Sequence, residues 1–276
     1  MSGFNFPRHS PDGRRPVGHI HLGVLPNTRK WQHVVALLED GAREAAVFSA
    51  AADAAERDLK NAPNDPVFVE AVRLLAMIPQ AARQPEFGAE LRALGLNVGD
   101  DPSLIDIVNA AGNCLDQVAS ASGRRSDFGE LARRSLLGTL SLQLGDRLPG
   151  LISASAADVQ QSAASFANSA AFSGLARSFY TRLLSDTLNS WLSRVLSSRV
   201  GEARRFADIS ERSAFGQSLT QYSMEATRII KEFAGGWYGA TLHRDGTISS
   251  QRAAAFGAVA FKKITEELKR KRGLDA

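Results

Sequence analysis

The chain is 276 residues long, 44% hydrophobic and 22% charged, with a formal net charge of +4 and a single cysteine. That length holds one large core or two small ones, and the balance of apolar to charged residues excludes a disordered polyelectrolyte. No apolar run approaches the roughly 18 residues that span a bilayer, and one thiol cannot close an internal disulfide, so the sequence reads as a protein of a reducing cytoplasm.

Residues 1–26 hold four prolines and four glycines among scattered arginines and read as an extended basic arm. Within it only 17–24 (VGHIHLGV) alternates well enough to suggest a short strand. The opening stretch lacks the apolar core of a signal peptide.

From residue 27 onward the pattern is helical. Asn27 or Thr28 caps a segment in which Trp31, Val34, Val35 and Leu38 follow the i, i+3, i+4, i+7 spacing of one buried face, and Gly41 breaks or bends it. An alanine-rich helix is predicted over 42–62, with Val47, Phe48, Ala51, Ala55 and Leu59 on its apolar side. Asp65-Pro66 is a start signal, a capping carboxylate before a proline whose missing N–H costs nothing in the first turn. Pro79 is expected to end or kink that helix. Asp101-Pro102 repeats the signal for a helix reaching about Ser122, in which Cys114 reads as a small buried hydrophobe.

Ser126 caps the next helix, which carries Leu131, Leu136, Leu137 and Leu140, and Pro149-Gly150 stops the chain again. The serine- and alanine-rich stretch 151–174 keeps a helical period at Val159, Ala163, Phe166 and Ala170, so a closely packed helix is expected there. Leu175, Phe179, Leu184, Leu188, Trp191, Leu192 and Val195 form a broad apolar stripe that predicts a long helix over 174–200. Further helices are expected over about 210–233 and 249–272. Between them, Gly235-Gly236-Trp237-Tyr238-Gly239 and Asp245-Gly246 read as turns.

The sum is an all-α chain, an irregular multi-helix bundle of nine or ten helices with an extended amino-terminal arm. No repeat at 34 or 40 residues indicates a solenoid. Charge divides the chain further. Residues 39–170 carry 11 basic and 18 acidic side chains, whereas 171–276 carry 17 basic and 10 acidic. The organisation read from this is an arm (1–26), an acidic helical lobe (27–150) and a basic helical lobe (151–276), the two lobes able to pack as one domain. An acidic and a basic face would suit different partners.

Chemistry is sparse. Four of the five histidines (His9, His19, His21, His33) lie in the first 33 residues, and the fifth is His243. Most of the helical region therefore lacks the usual general base, and it contains no glycine-rich phosphate loop. The pair His19-x-His21 would put two imidazoles on the same side of a strand, where both can reach one metal ion, but a third ligand has to come from elsewhere. The segment Phe233-Ala-Gly-Gly-Trp-Tyr-Gly239 sets two aromatic rings between glycines; in a turn, Trp237 and Tyr238 would stack on a nucleic-acid base, anchor a partner, or fold back onto the core.

The terminal run 261–272 (FKKITEELKRKR) carries two ladders at i, i+4 spacing, Lys262–Glu266–Arg270 and Lys263–Glu267–Lys271, which stabilise the helix itself. Lys269, Arg272, Arg204 and Arg205 have no acidic partner nearby in sequence and are left as candidate phosphate ligands. Arginines outnumber lysines 26 to 7, which suits bidentate phosphate contacts.

The leading expectation is a non-catalytic, cytoplasmic helical subunit of a larger assembly, without a cofactor. Its basic carboxy-terminal half would contact nucleic acid or an acidic partner through Arg204, Arg205, Lys269, Arg272, Trp237 and Tyr238. Helical subunits of this class occur in nucleic-acid-handling assemblies, antiviral defence systems among them. Two rivals stand beside it: a protein-only adaptor using the Trp237/Tyr238 turn, and a metal-dependent hydrolase using His19 and His21.

Overall fold

The computed structural model describes residues 28–123, 126–150, 153–202 and 204–275. The protein is all-α, about 80% helical, with eleven α-helices and no strand among the described residues. The extended pairing that exists there is an isolated parallel bridge between Val200 and Phe206. The arm 1–26, its expected strand over 17–24, and His19 and His21 lie outside the described residues.

Several starts follow the sequence signals closely. Helix α1 (Arg29–Glu39) is capped by Thr28, whose hydroxyl accepts from the Trp31 amide, and Gly41 leaves the helix with φ of 67°. Helix α2 (Glu44–Asn61) follows, and α3 (Pro66–Ala81) begins with its proline in the first turn. The Asp65 carboxylate accepts from the amides of Val67 and Phe68 at 2.9 and 3.0 Å. Pro79 sits inside α3 two residues before its end, where a lost N–H removes one bond of the final turn.

Helix α6 (Asp127–Gly145) is capped by Ser126, whose Oγ accepts from the Gly129 amide at 2.7 Å. The same hydroxyl donates to the Asp65 carboxylate, so the caps of α3 and α6 are hydrogen-bonded to each other.

Other boundaries differ from expectation, and each difference has a local cause. A short helix α4 (Phe87–Ala93) intervenes, and α5 (Leu104–Ala121) starts after Ser103 and not at Asp101-Pro102. Ser103 and Asp106 form a reciprocal capping box, in which the side chain of each accepts from the amide of the other. The stretch 151–174 is not one helix. Ser155 and Asp158 form a second capping box for α7 (Ala156–Ala164), and Asn168 then caps α8 (Ser169–Leu196).

The helix expected over 210–233 is likewise two. Helix α9 (Ile209–Ala226) ends at Thr227, and α10 (Arg228–Asp245) runs straight through the glycine-rich segment. Gly246, with φ of 70°, closes α10, and α11 (Ser250–Asp275) completes the chain.

One hydrophobic cluster runs from Trp31 to Leu268 and draws on helices from both the acidic and the basic stretch. Helix α3 is apolar nearly all round and sits in the middle, against α5, α6 and α11. Phe68 on it meets the rings of Phe128, Phe179, Tyr180 and Phe261 with centroids 5.4 to 6.4 Å apart. Gly257 on α11 leaves room for that ring, since a Cβ there would lie 2.5 Å from it. Each such buried aromatic contributes about 1.5–3 kcal/mol through area removed from water.

Candidate functional site

The aromatic pair expected in a turn is built into the core instead. Tyr238 is 1% exposed; its ring stacks on Phe172 at 4.0 Å and 10°. Its hydroxyl donates to the Ala76 carbonyl and accepts from the Gln80 amide at 2.6 Å. Burial, partly offset by Gln80 and the nearby Arg83, pushes this phenol up to about 12. Trp237 is half-buried and stacks on Phe256 at 4.1 Å and 21°.

The glycines serve helix crossing. Cβ atoms on Gly235 and Gly239 would lie 2.5 Å from the Ser169 carbonyl oxygen and 2.7 Å from its Oγ, so these positions let α10 lie directly on α8. The expected turn is thus a helix face. Small residues four positions apart signal close helix packing, a reading that the turn chemistry of glycine obscures.

The candidate cations are also redistributed. Lys269 pairs with Glu56 at 2.8 Å, and Arg272 pairs with Asp53, which also holds Lys30 at 2.9 Å. Arg205 donates to the Ala42 carbonyl at 2.6 Å and lies over Phe206 and Phe215. Arg204 is exposed on the loop between α8 and α9. Lys269 and Arg272 thus lie one turn apart on α11 against α2, while Arg204 and Arg205 belong to the loop before α9. The helical ladders of α11 are also rearranged: Glu267 takes Arg270, Lys271 reaches Glu225 on α9, and Lys263 lies over Phe233. Across the fold, Arg199–Glu39 and Arg194–Asp127 complete a set of pairs between the acidic and basic stretches. Much of the charge asymmetry is therefore consumed inside the molecule.

Titration follows that pairing. Hydrogen bonds from Lys269 and Lys60 hold the Glu56 carboxyl below its ordinary value. Burial works against the ionised form of Asp53, yet hydrogen bonds from Lys30 and Arg272 outweigh it and lower that carboxyl too. Cys114 is buried beside Glu70, and burial pushes its thiol up, which suits packing and not nucleophilic attack. Among the described residues no cluster of histidine, cysteine and carboxylate side chains is placed to hold a metal ion.

A further set of cations gathers elsewhere. A groove of about 590 Å³ opens between α6, α8, α9 and α10, lined by Arg147, Arg177, Arg182 and Lys231 with one carboxylate, Asp186. The α8 wall arises from helical spacing, because Gly174, Ser178, Thr181 and Ser185 recur every three or four residues. Arg177 is oriented by its bond to the Met224 carbonyl at 3.0 Å, and Arg147 lies 3.8 Å over the Phe166 ring. Gly138 gives the Arg182 guanidinium its place: a Cβ there would lie 2.9 Å from that group.

Lys231 is exposed and has no carboxylate partner among the described residues. Burial raises the Asp186 carboxyl, against the pull of Arg182 and Arg134. No protein-family model, curated protein or solved structure matches the chain. The groove thus rests on its own chemistry: three guanidiniums and an ammonium suit a dispersed anion, while Leu142 and Met224 at 49% and 42% exposure add apolar surface beside it.

Sequence reasoning missed this site because its cations are scattered over the turn after α6, helix α8 and helix α10. The available signal was Arg177 and Arg182 on the helix with the broadest apolar stripe, where charged residues must face outward. No described helix is long and apolar enough to cross a membrane.

Proposed function

We propose that the protein is a non-catalytic helical subunit of a larger cytoplasmic assembly, and that it holds nucleic acid through phosphate contacts in the α6–α8–α9–α10 groove. One observation carries this reading: Arg147, Arg177, Arg182 and Lys231 line a single open groove against one carboxylate, while Lys269 and Arg272 are occupied by Glu56 and Asp53. Phosphate contacts fix position without reading sequence, so such binding is general and strongly salt-dependent. With Tyr238 buried, a protein-only adaptor would have only the half-buried Trp237 of that pair to present.

The test is a titration of labelled single- and double-stranded DNA and RNA at about 50 and 200 mM salt, the range in which phosphate-driven binding changes most. Arg147→Ala and Lys231→Ala should each weaken every complex and reduce the salt slope by about one. Lys269→Ala should leave the slope unchanged. Failure of all four nucleic acids to bind would end this reading.

A further inference from the structure

A purely polyanionic ligand explains the cations of this groove but not its other polar groups. Asp186 is the one carboxylate in the lining, and it would repel a bare phosphate. Arg182, Arg134 and Ser135 already stand beside it, yet a carboxylate accepts several hydrogen bonds, so a ligand that also carries donors fits this lining better than a bare anion does.

Thr139 makes the same demand. Threonine hydroxyls inside these helices ordinarily donate back to the carbonyl four residues earlier, as Thr187 does to Leu183 at 2.6 Å and Thr265 to Phe261 at 2.7 Å. Thr139 lines the groove at 1% exposure, and its hydroxyl has no hydrogen-bond partner among the described residues. A buried hydroxyl left unmatched is a standing penalty that a bound hydroxyl group removes.

Resting on the nucleic-acid reading above, we propose that the groove is a ribose-phosphate site, in which Arg177 and Lys231 take the phosphate and Asp186 and Thr139 take sugar hydroxyls. The groove's size, about 590 Å³, falls within the range of sites that enclose a small organic ligand. The 2′-hydroxyl is the group by which a protein tells RNA from DNA, so this site prefers ribose to deoxyribose. The same chemistry is offered by one unit of an RNA strand and by a free ribonucleotide.

Titrations of the full chain with AMP and dAMP, and with a labelled RNA oligomer and the DNA of the same base order, test the proposal. The ribo form of at least one pair should bind about tenfold tighter, as expected for a hydroxyl bonded to a carboxylate. Tight binding of AMP assigns the site to free nucleotides; tight binding confined to the oligomer assigns it to a strand. Asp186→Asn should bring the ratio towards one. Thr139→Val should lower the ratio while raising Tm, because removing an unmatched hydroxyl relieves the empty protein and a merely structural hydroxyl would not touch the ratio. Thr139→Val also carries the test if Asp186→Asn fails to fold. Equal binding of ribo and deoxy forms overturns the ribose site and leaves the phosphate reading intact. Absence of any binding overturns both.

Discussion

Adjacent glycines on α10 should respond to alanine with opposite signs. Gly235 faces α8, and a Cβ there would lie 2.5 Å from the Ser169 carbonyl oxygen and 3.1 Å from its carbon, which are backbone atoms that cannot rotate away. Ordinary contact begins near 3.4 Å, so α8 and α10 would have to separate by close to 1 Å at their crossing. Overpacking of this kind costs about 1–3 kcal/mol, and the upper end applies because the obstacle is main chain. Alanine recovers about 1 kcal/mol of helix propensity, which leaves Gly235→Ala destabilised by about 2 kcal/mol.

Gly236 faces solvent, nothing lies within 4 Å of the place a Cβ would take there, and its φ is not in the left-handed region. Gly236→Ala should therefore gain about 0.5–1 kcal/mol. Urea melts followed by circular dichroism at 222 nm report both, and thermal melts should shift by about 2–4 °C per kcal/mol in a chain of this order of length. A turn at this segment would need glycine at both positions. Comparable destabilisation by the two substitutions would therefore refute the continuous helix and the crossing at Ser169.

Further outcomes follow from the same geometry. Tyr238→Phe keeps the stack on Phe172 but leaves the Gln80 amide short of a partner, and should cost about 1–2 kcal/mol in a urea melt. Because burial raises the Tyr238 phenol to about 12, the folded protein keeps a proton that the unfolded chain releases near pH 10. Stability should thus fall as pH rises from about 10 to about 12, and phenolate absorbance at 295 nm should track unfolding and not precede it. Ser126→Ala removes the α6 cap and the donor to Asp65 together and should cost about 1–2 kcal/mol. Combined with Asp65→Ala the losses should fall short of the sum, because the caps share one bond; strict additivity would disprove the shared cap. The double variant Lys269→Ala/Arg272→Ala should weaken the attachment of α11 to α2 by about 1 kcal/mol at most, since both pairs are partly exposed. The lowered carboxyls of Asp53 and Glu56 place that contribution above the ordinary carboxylate range; it should be lost as pH falls through their depressed values, with the double variant showing a flatter acid limb in melts across pH.

The helical class, the start of α1 at Thr28, of α3 at Asp65-Pro66 and of α6 at Ser126 were legible from residue order, because periodicity and capping act within one or two turns of chain. The capping boxes at Ser103 and Ser155 were equally local, and the S-x-x-D spacing that carries them is written in the chain. Three things were decided only by tertiary structure. The segment Gly235–Gly239 becomes helix because α8 passes within contact distance, and glycine's neighbour across space is invisible in its own sequence. Lys269 and Arg272 find acidic partners more than 200 residues earlier on α2, so their charge is cancelled by a pairing no local spacing encodes. The basic groove exists because the turn after α6, helix α8 and helix α10 bring Arg147, Arg177, Arg182 and Lys231 to one place. Short-range forces select the helices, but which faces meet, and which charges are left to meet a partner, depends on how those helices share one core.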